Sequence, residues 1–320
     1  MTDPSTTTKR WPALPSDEWA DTVEAVHLWT QIVGKIRLAH APWLNHSWSV
    51  PLYVSTRGLR TSMIPYDEQG VELEFDFIEH ELRIHTTAGR EASIGLRTQS
   101  VADFHGEVLL AMDRLGMPVT INPMPSEIAG AVRFDHDTFT RTYEPAHANA
   151  LWRALVQIDR VLNRFRADFK GKASPVHFFW GSFDLATTRF SGRTAPPHPG
   201  GIPNFPDDVA REAYSHEVTS VGFWPGNREA PAPIFYAYAY PTPDGFDSSE
   251  VEPAEAFWLT ALGEFALPYD VVAGADDPDG VLMSFFDSTH AAAADLGRWD
   301  RAALECEHPE GPDWWQNRPR

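Results

Sequence analysis

Apolar residues at 23, 26, 32, 33 and 36 recur near helical spacing, which predicts a helix over residues 17–38 that ends before Pro42. The period then changes. The run 47–56, the alternating VELEFDF of 71–77, ELRIHT of 81–86 and ASIGL of 92–96 read as antiparallel strands with short turns, each turning one face to a core. Helical spacing returns over 100–115 and is stopped by Gly116 and Pro118.

The second half restates this plan. Leu28-Trp29, Val33 and Arg37 match Leu151-Trp152, Val156 and Arg160 at a constant offset. Trp48 stands nine residues before Arg57, as Trp180 stands nine before Arg189, and both arginines follow Thr and precede a nearby Arg-Thr pair. Both halves then run through strands to a helix ending Leu-Gly, at Leu115-Gly116 and Leu296-Gly297. Short matches with unequal spacers also arise by chance, so coincidence and duplication both stand. The fold class expected is α+β, mainly antiparallel sheets with flanking helices, with a duplicated helix–strands–helix unit in two lobes as its sharper form. The boundaries follow: a tail at 1–16, a first lobe at 17–122, a linker at 123–145, a second lobe at 146–304 and a polar tail at 305–320. Within the last tail, Trp314 and Trp315 are expected to dock on the protein, since paired indoles rarely stay solvated.

The halves differ where function is expected to enter. RFSGRTAPPHPGGIPNFPDD interrupts the second, a connection too long and too rich in Pro and Gly for mere linkage. Composition narrows the partners. Lys and Arg number 26 against 45 Asp and Glu, a net charge of −19, so nucleic acid and anionic membranes are not expected and a small-molecule partner is. No secretory leader or eighteen-residue apolar run is present, and the single Cys306 forms no internal disulfide, which together make a cytoplasmic address the expectation. Phosphate-loop, GxGxxG, HExxH, GxSxG and paired CxxC motifs are absent.

Candidate chemistry concentrates in residues 174–240. Only eight of the 53 residues from 174 to 226 are Asp, Glu, Lys or Arg, so a charge held there is expected to be paired or put to use. A tight turn at Trp180-Gly181 would set His177 opposite Asp184, giving a histidine–carboxylate pair suited to general base catalysis or metal ligation. Trp suits such a turn poorly, and in one unbroken strand the two would stand roughly 23 Å apart, leaving His177 a buried structural histidine. Over 213–226, strand parity sends Tyr214, His216, Val218, Ser220 and Trp224 to one side and Glu217 to the other, which makes His216 the interior candidate. With His198 in the loop APPHPGG, His177 and His216 could complete a three-imidazole site for a divalent metal. Arg189 and Arg193 suit an anion clamp or, in so acidic a chain, structural ion pairs. Trp180, Trp224, Tyr236 and Tyr238 are the expected aromatic walls, Tyr236 and Tyr238 sharing one face of a strand over 233–241.

Seven peptides carry a resemblance: WPALP at 11–15, HLWTQIVGKIRLA at 27–39, SPVHFFWGSFDLA at 174–186, HPGG at 198–201, AYSHEV at 213–218, GFWPG at 222–226 and FYAYAYP at 235–241. From residue 11 to 304 the chain resembles an uncharacterised bacterial family of about 300 residues that is described only as a domain of unknown function. The resemblance implies a bacterial source and no particular activity, cofactor or catalytic residue. Two functions are therefore expected from chemistry alone. One is a small-molecule enzyme, with or without a divalent metal, using His177, Asp184, His216 and Arg189 in a cleft at 174–240. The other is a non-catalytic protein whose aromatic residues form a ligand pocket or a subunit interface.

Overall fold

The computed structural model describes residues 10–14 and 18–306. Helix α1 (Ala20–His40) is buried on nearly every side, the pattern of a helix enclosed by other elements rather than laid on a surface. Strands β1 (Tyr53–Val54), β2 (Gly58–Arg60), β3 (Ile64–Tyr66), β4 (Gln69–Asp76), β5 (Glu81–Thr86) and β6 (Glu91–Gly95) form an antiparallel sheet in the order β1-β2-β4-β5-β6, with β3 on the side of β4. Alternation decides its faces: Val71, Leu73, Phe75, Leu82 and Ile84 are buried. After the short β7 (Gln99–Ser100), helix α2 (Val101–Arg114) begins where the Ser100 hydroxyl accepts the Asp103 N–H at 3.0 Å.

Segment 123–145 is packed rather than tethered. Phe134 is buried, and β8 (Thr140–Arg141) pairs with β7. Helix α3 (Pro145–Ala167) then leads to the second antiparallel sheet, in the order β13-β14-β12-β11-β10-β9. Its strands are β9 (His177–Phe179), β10 (Asp184–Thr194), β11 (His216–Trp224), β12 (Ile234–Tyr240), β13 (Phe257–Leu259) and β14 (Glu264–Pro268), and helix α4 (Asp207–Ala213) lies between β10 and β11. Helices α5 (Tyr269–Gly274), α6 (Pro278–Leu296) and α7 (Arg301–Leu304) follow. Leu52 and Phe178 exchange backbone hydrogen bonds at 2.9 Å and stitch the two sheets together. One apolar core runs through both.

The α+β class and antiparallel sheets are as expected; several details are not. Residues 47–56 form no single strand but a 3-10 turn ending at Ser47 and the two residues of β1. Trp11 and Leu14, assigned to the first tail, are core residues, and the Trp11 indole donates to Asp279 at 3.2 Å. Glu305, assigned to the last tail, pairs with Arg301 at 2.7 Å. Trp314 and Trp315 lie outside the described residues. The landmarks matched between the halves also fall in different settings. Trp48 ends a 3-10 turn whereas Trp180 sits in a hairpin loop, and Arg57 is in a turn whereas Arg189 is mid-strand.

Candidate functional site

Parity divides the second sheet. Arg189, Thr219, Phe223 and Phe235 face α3, α5 and α6, while Asp184, Thr188, Val218, Ser220, Tyr236 and Tyr238 face a cavity of about 280 Å³. That volume lies near the low end of ligand pockets. The Pro/Gly-rich connection closes the cavity from above. Ile202, Phe205 and α4 form this cover, which is fastened by Pro203 O to the Glu127 N–H at 2.8 Å and by the Asn204 amide to Ile128 O at 2.9 Å. At the mouth the Trp43 indole reaches across to Glu212 at 2.9 Å.

Asp184 sits at the base of the cavity. It accepts hydrogen bonds from the Ser182 and Tyr236 hydroxyls, yet burial still pushes its carboxyl above the usual range. Tyr236 reaches it across the intervening strand because Gly222 stands between them. A Cβ there would come within 2.4 Å of the tyrosine oxygen. Beside this pair the Tyr214 and Tyr238 hydroxyls meet at 2.9 Å, as do those of Thr188 and Ser220.

Glu127 is the second carboxyl of the cavity. It occupies a left-handed backbone position, φ 64°, unfavourable for a residue with a side chain. Its carboxyl packs against Gly181, where a Cβ would meet Oε1 at 1.9 Å. No hydrogen bond or ion pair holds that carboxyl among the described residues. Burial and the nearby Asp184 raise it to about 7. Lys35 of α1, buried and bonded to the Ser126 hydroxyl at 3.0 Å, is lowered to about 8 by burial, against the pull of Glu127. One α1 side chain aligns both segments: Gln31 accepts the Ser126 N–H at 2.7 Å and donates to Ser126 O and Gly181 O at 3.0 and 3.3 Å.

The predicted residues divide accordingly. Asp184, Trp180, Tyr236 and Tyr238 line the cavity. The hairpin does turn near Trp180-Gly181, but its loop is four residues long, with Phe183 at φ 63°. His177 therefore faces Ala186, and Asp184 faces Phe179. His177 is fully buried among Trp48, Tyr53 and Phe179 with neither ring nitrogen bonded, and desolvation lowers it to about 3.

His216 bonds Ser215 Oγ at 3.0 Å, and His198 stacks on Tyr214 at 4.7 Å. The three-imidazole metal site is thus corrected, since no group of three or more His, Cys, Asp or Glu among the described residues can hold an ion. The anion clamp is corrected as well. Arg189 lies on the opposite face of the sheet, 3.5 Å from the Phe165 ring centroid, and Arg193 pairs with Glu217 at 2.6 Å on the surface. Trp224, at the far end of β11, does not reach the cavity.

Sequence reasoning missed Glu127, Lys35 and His46. The only signal for Lys35 is a lysine inside the apolar run of α1, and Glu127 had none, lying in a Pro-rich segment read as linker. His46 lines the cavity wall, its Nδ1 donating to Ala213 O at 2.9 Å and its Nε2 accepting from Lys172 at 2.6 Å. Burial lowers it. The arrangement offers two protonatable carboxyls in an aromatic enclosure, with hydroxyl donors fixed on one of them.

A family model described as a family of unknown function (DUF5996) matches residues 11–306. No curated protein and no solved structure matches the chain.

Proposed function

Since the chain belongs to the DUF5996 family, which carries no known activity, we propose from the site itself that the protein is a small-molecule enzyme working by proton transfer in the cavity beneath 195–213. Glu127 is the acid–base group. Asp184, held by Ser182 and Tyr236, fixes the polar end of the substrate beside it. One observation carries the reading: an unbonded carboxyl on a left-handed backbone projects into an aromatic cavity beside a second buried carboxyl. Such a pair suits general acid–base work because a group near 7 is populated in both protonation states at neutral pH. No helix among the described residues is long and apolar enough to cross a membrane, and the single cysteine is consistent with a cytoplasmic enzyme.

The test is turnover. Panels of small amines, alcohols and carbonyl compounds are incubated in deuterated water and read by proton NMR. Wild type should transform or deuterate at least one compound, and Glu127→Gln should slow that reaction by about 10²-fold or more. Equal rates would reject the role of Glu127, as would a carboxyl carbon titrating in the ordinary glutamate range. A second reading, a non-catalytic binding protein, is favoured by the mostly aromatic and aliphatic walls. It expects uptake of the same compounds with no chemistry in either protein.

A further inference from the structure

The polar groups that reach the cavity are unequal in sign. Glu127 and Asp184 both project into it, and Glu264, on the strand beyond Tyr236, is raised to about 7 by burial and then by the charge of Asp184. The cations nearby are already engaged. Lys35 is bonded to Ser126 and lies 5.6 Å from the Trp180 ring centroid, and Lys172 is bonded to His46 above Phe190, 4.8 Å from its centroid. His46 has both ring nitrogens bonded. The Glu127 carboxyl, by contrast, has no hydrogen bond or ion pair among the described residues.

Two carboxyls brought together in a poorly solvated enclosure repel one another, and an entering positive charge relieves that repulsion where a neutral group does not. The walls favour the same sign, because the faces of Trp48, Trp180, Phe190 and Tyr238 carry negative quadrupole potential. We propose that the substrate of the cavity is a small organic cation, an amine or ammonium compound whose charged head sits between Glu127 and Asp184 and whose apolar body lies against Trp48, Trp180 and Tyr238. The assignment rests on the reading of this cavity as the substrate site and names the class of molecule it takes. It also gives Glu127 a partner: an ammonium head is both the charge that holds its carboxylate and a donor of the proton it accepts.

Binding of such a cation is linked to ionisation of the site. Lys35 from α1, Asp184 from β10 and Tyr214 after α4 are the titratable groups that interact with Glu127, and Tyr238 from β12 and His46 line the same cavity. A bound ammonium stabilises the Glu127 carboxylate, so at neutral pH binding expels a proton and affinity rises with pH through about 7.

Calorimetry of the full-length protein with 2-phenylethylamine, 2-phenylethanol and 3-phenylpropanoate tests the assignment. The amine should bind at least about tenfold more tightly than the alcohol, and the carboxylate should not bind. Titration in two buffers of different ionisation enthalpy should show proton release with the amine alone, a readout on the wild-type protein that needs no variant. Glu127→Gln and Asp184→Asn, verified as folded by near-ultraviolet circular dichroism, should each weaken the amine by about tenfold and leave the alcohol unchanged. An alcohol as tight as the amine, binding of the carboxylate, or no binding of the amine overturns the cation assignment. If the alcohol wins while Glu127 still titrates near 7 and drives turnover, the acid–base reading survives without it.

Discussion

The Tyr236 hydroxyl donates to the Asp184 carboxylate across strand β11, and the crossing depends on Gly222 between them. In Gly222→Ala the new Cβ would lie 2.4 Å from the tyrosine oxygen and 2.7 Å from Leu185 O, so the ring must move. A loss of about 1–3 kcal/mol in urea denaturation is expected. Tyr236→Phe should cost a similar amount, about 1–3 kcal/mol, by removing a donor from a buried carboxyl. The double variant should lose less than the sum, because each single change already breaks the same Tyr236–Asp184 hydrogen bond. Strict additivity would show that the two residues do not meet as described.

Glu127 gives the native state a defined pH dependence. Its folded value of about 7 exceeds the ordinary 4.5, so between these pH values the unfolded chain holds fewer protons and stability falls as pH rises. Glu127→Gln removes this contribution. The stability difference, variant minus wild type, should climb from about pH 4.5 to about pH 7 and level off beyond. Chemical denaturation at stepped pH checks it, and a flat difference would place Glu127 in solvent.

His177 behaves in the opposite sense. With its folded value lowered to about 3, the unfolded state takes up a proton first as pH falls below 6.5, and stability declines with acid. His177→Phe should fold and be as stable as wild type or gain about 1–3 kcal/mol near neutral pH, since two unbonded nitrogens leave an apolar environment. Its advantage should widen toward pH 5. Loss of cavity binding in this variant would instead give the imidazole a part in the site.

Arg189 tests the sidedness of the sheet. Its guanidinium lies 3.5 Å from the Phe165 ring centroid and donates to the Phe165 carbonyl, contacts a lysine ammonium reproduces poorly. Arg189→Lys should lose about 1–3 kcal/mol by thermal or chemical unfolding and leave amine binding unaltered. Weakened amine binding at unchanged stability would move this residue to the cavity.

The strands were legible where one face meets the core and the other meets water. ELRIHT became β5 without change because Leu82 and Ile84 turn inward while Glu81, Arg83 and His85 turn outward. Parity also grouped Val218 with Ser220 on β11 and Tyr236 with Tyr238 on β12 as the cavity has them, whereas Tyr214, read as part of the strand, caps α4 instead. It left the hairpin register open, because alternation reports faces and is blind to a shift of two residues. That shift arises from the four-residue loop ending at Phe183, and it gave Asp184 a tyrosine as partner in place of a histidine. Glu127 was illegible for a different reason. Its importance comes from the backbone of Gly181, 54 residues away in the chain, and no local pattern encodes that approach.

The hold of Gln31 on both Ser126 and Gly181 bears on how molecules get in. A buried amide that bonds the 126–127 segment and the β9–β10 loop together leaves no hinge between the halves at this point, so the cavity does not open like a pair of jaws. On its other side the cavity is covered by Phe205 and α4, tied at the edge by the Trp43–Glu212 bond, so the cover and not the seam between the sheets is what stands between a ligand and solvent.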